Sequence, residues 1–78
     1  MNEYCAEYTF LIDGATWGRE EYCFEADNDE EAIQEAFNYE RSYGYVKRGK
    51  TAELLLDYLY DPDGNEIEIT NEEREKYI

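Results

Sequence analysis

The groups that carry most enzyme chemistry are scarce in this chain of 78 residues: it has no histidine, one serine (Ser42) and two cysteines, Cys5 and Cys23. Serine–histidine triads and imidazole metal sites are excluded by composition alone. Carboxylates are abundant instead, with 21 Asp and Glu against 7 Lys and Arg and a formal charge of -14. A catalytic acid and base pair needs two carboxylates at a set separation whose surroundings push their pKa values apart, and no spacing here marks one pair out from the rest. The acids therefore read as surface groups, and the chain as a non-enzyme that needs no cofactor.

Three smaller constellations carry weaker chemistry. Asp61, Asp63, Asn65 and Glu72 follow part of a calcium loop, with Glu72 twelfth from Asp61. Gly64 falls two residues before the place where such a loop turns, and Pro62 with Ile67 and Ile69 describes a hairpin better, so no metal site is assigned. Cys5 and Cys23 lie where a tight three-residue turn at Asp13 to Ala15 would set them opposite each other, and a disulfide is then geometrically conceivable. With no secretory signal in the sequence, reduced and partly buried thiols are the expected state. The stretch from Tyr43 to Lys50 interleaves Tyr43 and Tyr45 with Lys47, Arg48 and Lys50, a mixture able to stack on bases and touch phosphates. Long-range repulsion from so acidic a body argues against direct nucleic-acid binding, and the loop reads as a solvated patch that neutralises nearby acids.

The elements that position these groups follow from periodicity. From Glu3 to Ile12, Tyr4, Ala6, Tyr8, Phe10 and Ile12 alternate with Glu3, Cys5, Glu7, Thr9 and Leu11, which predicts a half-buried strand. After a turn at Asp13-Gly14, Tyr22, Phe24 and Ala26 alternate with Glu21, Cys23 and Glu25, completing a hairpin. The period then changes. Ala32, Ile33, Ala36, Phe37 and Tyr43 mark the buried stripe of a helix capped by Asp27 or Asn28 and stopped at Gly44. Thr51 to Tyr60 reads as a third strand with Ala52, Leu54, Leu56, Tyr58 and Tyr60 on one face and Thr51, Glu53, Leu55, Asp57 and Leu59 on the other. The turn signal Asp61-Pro62-Asp63-Gly64-Asn65 leads to a short fourth strand, Glu66 to Thr70, and Thr70 with Glu73 opens a final helical turn whose Tyr77 and Ile78 would cover apolar residues of the second sheet face. The predicted fold is α+β: a single domain over 1–78, ββαββ with a short C-terminal helix, its four-stranded, mainly antiparallel sheet covered by one helix on one face.

Acidity without disorder is the functional signal. Aromatic residues make up 17% of the chain, including nine tyrosines, so this is a folded body carrying a strong negative field rather than a solvated tail. Such a field repels anionic membranes and nucleic acid and attracts basic protein surfaces. No apolar run is long enough to cross a bilayer and no signal peptide is recognisable, which predicts a soluble cytoplasmic protein, monomeric or homodimeric. Alternate strand residues are about 6.6 Å apart, so Glu3 and Glu7, Glu21 and Glu25, Glu53 and Asp57, and Glu66 and Glu68 should form carboxylate rows on the sheet. Asp29, Glu30, Glu31, Glu35 and Glu40 should form another on the helix. Regular negative charge on a rigid scaffold approximates a phosphate backbone, with Tyr39, Tyr43 and Tyr45 as interface anchors.

In size, charge and compact α/β layout, across the whole chain rather than in any motif such as EADNDEEAIQEAF, the sequence resembles the small acidic proteins of phages and mobile elements that inhibit host defence, in particular DNA-mimicking anti-CRISPR proteins. That resemblance implies a basic, nucleic-acid-binding partner: the Lys/Arg-lined DNA-binding or PAM-reading surface of a CRISPR effector complex, blocked by occupancy in the host cytoplasm. The contacts would be Asp29, Glu30, Glu31, Glu35, Glu40, Glu21, Glu25, Glu53, Asp57 and Tyr39. The Lys47-Arg48-Gly49-Lys50 cluster departs from a uniformly negative mimic. The competing reading is a small structural or accessory domain that self-associates or binds a partner chain through Leu11, Leu55 and Leu59.

Overall fold

The computed structural model describes residues 2–42, 45–47 and 50–76. Two long strands, β1 (Asn2–Ile12) and β2 (Ala15–Ala26), form an antiparallel hairpin across Asp13-Gly14. Both turn residues adopt positive φ, 51° and 80°, the geometry that matches the twist of the flanking strands and that Asp-Gly tolerates. The turn therefore has two residues where three are expected, and a bulge between Phe10 and Leu11 restores the register by leaving Trp17 as the extra residue. Past the bulge the pairs run Thr9↔Arg19, Glu7↔Glu21, Cys5↔Cys23 and Glu3↔Glu25.

Helix α1 (Asp29–Ser42) starts where Asn28 Oδ1 accepts the N–H of Glu31 at 2.9 Å and Glu31 Oε2 accepts the N–H of Asp27 at 3.1 Å. The first bond satisfies an open donor of the first turn and chooses Asn28 as the cap, and the second fixes the chain just ahead of it. Ala32, Ile33, Ala36 and Phe37 are its buried stripe. Tyr43 and Gly44, expected to end the helix, lie outside the described residues.

The sheet is completed by β3 (Tyr45–Lys47) and β4 (Lys50–Tyr60), in the spatial order β2-β1-β4-β3 with every pairing antiparallel. The α+β class, the β1–β2 hairpin, the antiparallel sheet under a helix and the short C-terminal helix agree with expectation. The fourth strand is not Glu66 to Thr70: that segment touches β4 at one bridge, Tyr60↔Glu66, with Ile67 N–H donating to Leu59 O at 2.8 Å, and then leaves the sheet. Continuing its register would bring Thr70 opposite Leu56. Leu56 is already satisfied by side chains, its N–H bonded to Glu40 Oε2 at 2.6 Å and its C=O to Arg74 Nη2 at 3.0 Å. The edge strand that exists instead is the three-residue β3, in a stretch whose composition reads as a connection, so the hairpin expected of 51–60 with 66–70 is not found. Thr70 caps α2 (Asn71–Lys76), its Oγ1 accepting the N–H of Glu73 at 3.2 Å. Tyr77, Ile78, Arg48 and Gly49 also lie outside the described residues.

The core is one layer between α1 and the sheet: Tyr4, Ala6 and Tyr8 from β1, Leu54, Leu56 and Leu59 from β4, and the helix stripe, with Tyr22, Phe24, Ile67 and Ile69 packed at its margin. Ala6, Ala32 and Ala36 are fully buried, and their small size lets helix and sheet approach until Tyr8 Oη donates to Ala36 O at 2.6 Å. Leu59 overturns the alternation read from the sequence. A bulge between Glu7 and Tyr8 pairs Glu7 with Tyr58 but Tyr8 with Leu56, so Asp57 is the extra residue and every side chain after it changes face. Leu59 enters the core, while Tyr58 and Tyr60 join Cys5 and Glu7 on the open face.

Candidate docking surface

The carboxylates occupy two regions, the open sheet face and the helix side of the molecule. On the open face the register sets Glu3 opposite Glu25 and Glu7 opposite Glu21, like-charge pairs that each destabilise a sheet. Between them Cys5 and Cys23 are joined as a disulfide across Cα atoms 4.0 Å apart. The expectation of reduced thiols is thereby overturned: the register sets the two cysteines directly opposite each other on adjacent strands, within reach of a bond. The cross-link fastens the hairpin at the point where its own charges push it apart. Beyond β1, Tyr60 gives its hydroxyl to Glu7, and burial together with that carboxylate raises its pKa. Tyr58 stacks on Tyr60 with centroids 6.2 Å apart. Thr9 Oγ1 donates to Asp57, and Glu53 is exposed opposite Leu11. Leu55 and Tyr58, 47% and 40% exposed, form the apolar part of this face, and Trp17, 68% exposed, stands at the bulge near its end.

On the other side the predicted helical row is only partly a free surface. Asp29 accepts the Tyr4 hydroxyl at 2.9 Å, Glu35 that of Tyr22 at 3.2 Å, and Glu40 is spent on the Leu56 N–H. Glu31 closes the cap, and Glu30 is exposed with Lys76 Nζ at 4.0 Å. Tyr39 is no projecting anchor: its ring stacks on Tyr22 at 3.9 Å, lies 5.4 Å from Tyr8, and its hydroxyl donates to Glu20 at 2.9 Å. These contacts consume lone pairs but not charge, because a tyrosine hydroxyl is a neutral donor. Burial first, and then the neighbouring carboxylates, raise the pKa of Tyr4, Tyr8 and Tyr22, so all three stay protonated at neutral pH.

The structure thus brings Glu21 and Glu25 together with Glu3 and Glu7, places Glu53 and Asp57 at the margin of the same face, and turns Glu40 and Tyr39 into structural residues. Among the described residues Glu30–Lys76 is the single ion pair. Arg41 is turned to Asn38 and Arg74 to a backbone carbonyl. The side chains of Tyr45, Lys47 and Lys50 are not described, so the anchor and the basic cluster read there lie outside the surface drawn here.

One feature lacked any local sequence signal: a groove of about 250 Å³ between α1 and β2, lined by Glu25, Ala26, Glu31, Gln34, Glu35 and Asn38. It runs along β2, the outer strand of the sheet, on the side that the helix covers. Among the described residues no helix is long and apolar enough to cross a membrane. Against known protein families, curated proteins and solved structures the chain finds no significant match.

Proposed function

We propose that this protein is a non-enzymatic inhibitor that presents a nucleic-acid-like anionic surface to a basic DNA- or RNA-binding site, and that its target is a CRISPR effector complex kept from its DNA by occupancy. One observation carries the reading. The chain has an excess of 14 negative charges, and its described part holds a single internal ion pair, at 4.0 Å. Acids kept in opposed pairs cost stability, and a cationic partner would recover that cost on binding. Self-association through the open face is the weaker reading, because Leu59 is buried in the core and a second copy would bring Glu3, Glu7, Glu21 and Glu25 against their own kind.

The test is competition. Added to a guide-loaded effector complex, the protein should abolish target-DNA binding at low salt and lose that effect steeply as salt approaches physiological strength and above. Retention of basic nucleic-acid-binding proteins from a bacterial lysate should show the same salt response. Unchanged DNA binding at saturating protein, together with no salt-sensitive retention of any such protein, would reject the proposal.

A further inference from the structure

The two edges of the sheet are treated differently. On the β4 side, β3 pairs with residues 50–52, Glu40 and Arg74 take the polar groups of Leu56, and Glu66 bridges Tyr60. On the other side β2 pairs only with β1, and its 12 residues have no strand beyond them among the described residues. An uncovered edge of that length is a template for another strand.

Its free groups can be identified. Opposed residues in an antiparallel pair alternate between wide, hydrogen-bonded positions and narrow ones whose N–H and C=O point away from the partner strand. The 4.0 Å separation of the Cys5 and Cys23 Cα atoms marks a narrow pair. Cys23 therefore turns its N–H and C=O outward, and by alternation so do Arg19, Glu21 and Glu25.

Charge decides what can use them. A second copy pairing antiparallel to β2 about Cys23 would set Glu21 against Glu25 on both sides of that residue, which repels the protein from itself. A strand bearing Lys or Arg meets the opposite situation. Neighbours on one face of adjacent strands lie about 5 Å apart, so alternate side chains of an added strand would run along Glu21 and Glu25 on the open face. The intervening ones would enter the groove beside Glu31 and Glu35.

We propose that the outer edge of β2 is a strand-addition site for an extended, Lys/Arg-bearing segment of a partner protein. This rests on the reading that the partner is basic and adds how it is held: by a backbone ladder on Glu21, Cys23 and Glu25, with carboxylates on both faces.

The probe is a peptide of about ten residues alternating Lys with Thr or Val, compared with the same peptide N-methylated at every position whose N–H would face β2. The plain peptide should slow amide exchange at Glu21, Cys23 and Glu25, leaving Tyr22 and Phe24 little changed. The methylated peptide, equal in charge, should bind on the order of tenfold more weakly, the effect of losing one to three hydrogen bonds. Glu21→Pro should weaken the plain peptide more than Glu21→Gln, since both remove the charge and only proline removes the N–H. If the proline variant does not fold, the peptide pair decides alone. Equal binding of the two peptides, or protection appearing elsewhere, overturns strand addition and leaves the basic-partner reading standing. If neither peptide binds while basic proteins are still retained, strand addition is again overturned. If those proteins are not retained either, both inferences fall.

Discussion

Replacing Glu40 by alanine tests whether this acid belongs to the fold or to a docking surface. Its carboxylate accepts the Leu56 N–H at 2.6 Å while the Arg74 guanidinium holds the C=O of the same residue at 3.0 Å. Leu56 itself is fully buried. A hydrogen bond to a charged group contributes roughly 1.5–3 kcal/mol, and an orphaned buried N–H costs about as much. Glu40 is half-exposed, so water screens the charge and can partly replace it; about 1.5 kcal/mol is the expected loss for Glu40→Ala. In a domain of this size each kcal/mol moves Tm by roughly 4–8 °C, which puts the shift near 6–12 °C. Glu40→Gln keeps an oxygen acceptor and sheds one unit of a repulsive net charge, so its loss should be about half as large. Glu30→Ala is the control: it removes the same charge from a position that caps no backbone group and whose ion pair to Lys76 at 4.0 Å is solvent-exposed, and should change stability by no more than about 0.5 kcal/mol. Urea titration gives the free energies, and amide exchange at Leu56 localises the effect. A Glu40→Ala variant within about 0.5 kcal/mol of the parent, with Leu56 exchange unchanged, would refute the clamp and return Glu40 to the surface.

The Cys5–Cys23 bridge closes a segment with a sequence separation of 18, for which chain entropy gives about 3 kcal/mol. The Cys5→Ser/Cys23→Ser variant should melt roughly 12–24 °C lower, and a Tm unaffected by removing the bridge would show that hairpin contacts alone hold the register. Tyr4, Tyr8, Tyr22 and Tyr60 have raised pKa values in the fold. They keep their protons where the unfolded chain begins to lose them, so stability is intact below about pH 10 and falls as pH rises beyond it. Tyrosinate absorbance should accordingly appear together with loss of near-UV circular dichroism, whereas smooth ionisation of all nine tyrosines without unfolding would contradict the burial. Because the net charge of -14 repels itself, added sodium chloride should raise Tm over the first few hundred millimolar. A flat or falling Tm would mean that the acids are neutralised internally.

Alternation in β1 and β2, a cap at Asp27 or Asn28, the stripe from Ala32 to Phe37 and the Thr70 cap were all legible in the sequence, because each is a local pattern with a local cause. The two bulges were not. Nothing in the run of leucines and tyrosines along β4 announces that Asp57 is skipped by its partner, yet that one residue sends Leu59 inward and Tyr58 outward. The fourth strand failed for a related reason: Ile67 and Ile69 do pack on the core, but Leu56, which Thr70 would face, has its polar groups claimed by Glu40 and Arg74, residues distant in sequence. Grouping of Glu3, Glu7, Glu21 and Glu25 on one face followed from period two alone. Which acids are spent internally did not, since that depends on where Tyr4, Tyr22 and Leu56 lie in three dimensions.

The disulfide is set between two facing carboxylate pairs, Glu3 with Glu25 and Glu7 with Glu21. Exchange of such a bond begins when a thiolate reaches one of its sulfurs. A reductant that is itself an anion, as the common tripeptide thiol of cells is, must climb the protein's own potential to arrive. A cationic aminothiol descends it. How long the bond survives in a reducing medium is then governed by the valence and ionic atmosphere of the attacking molecule as much as by its redox poise, and salt, by flattening that potential, would hasten attack by the anion while slowing attack by the cation.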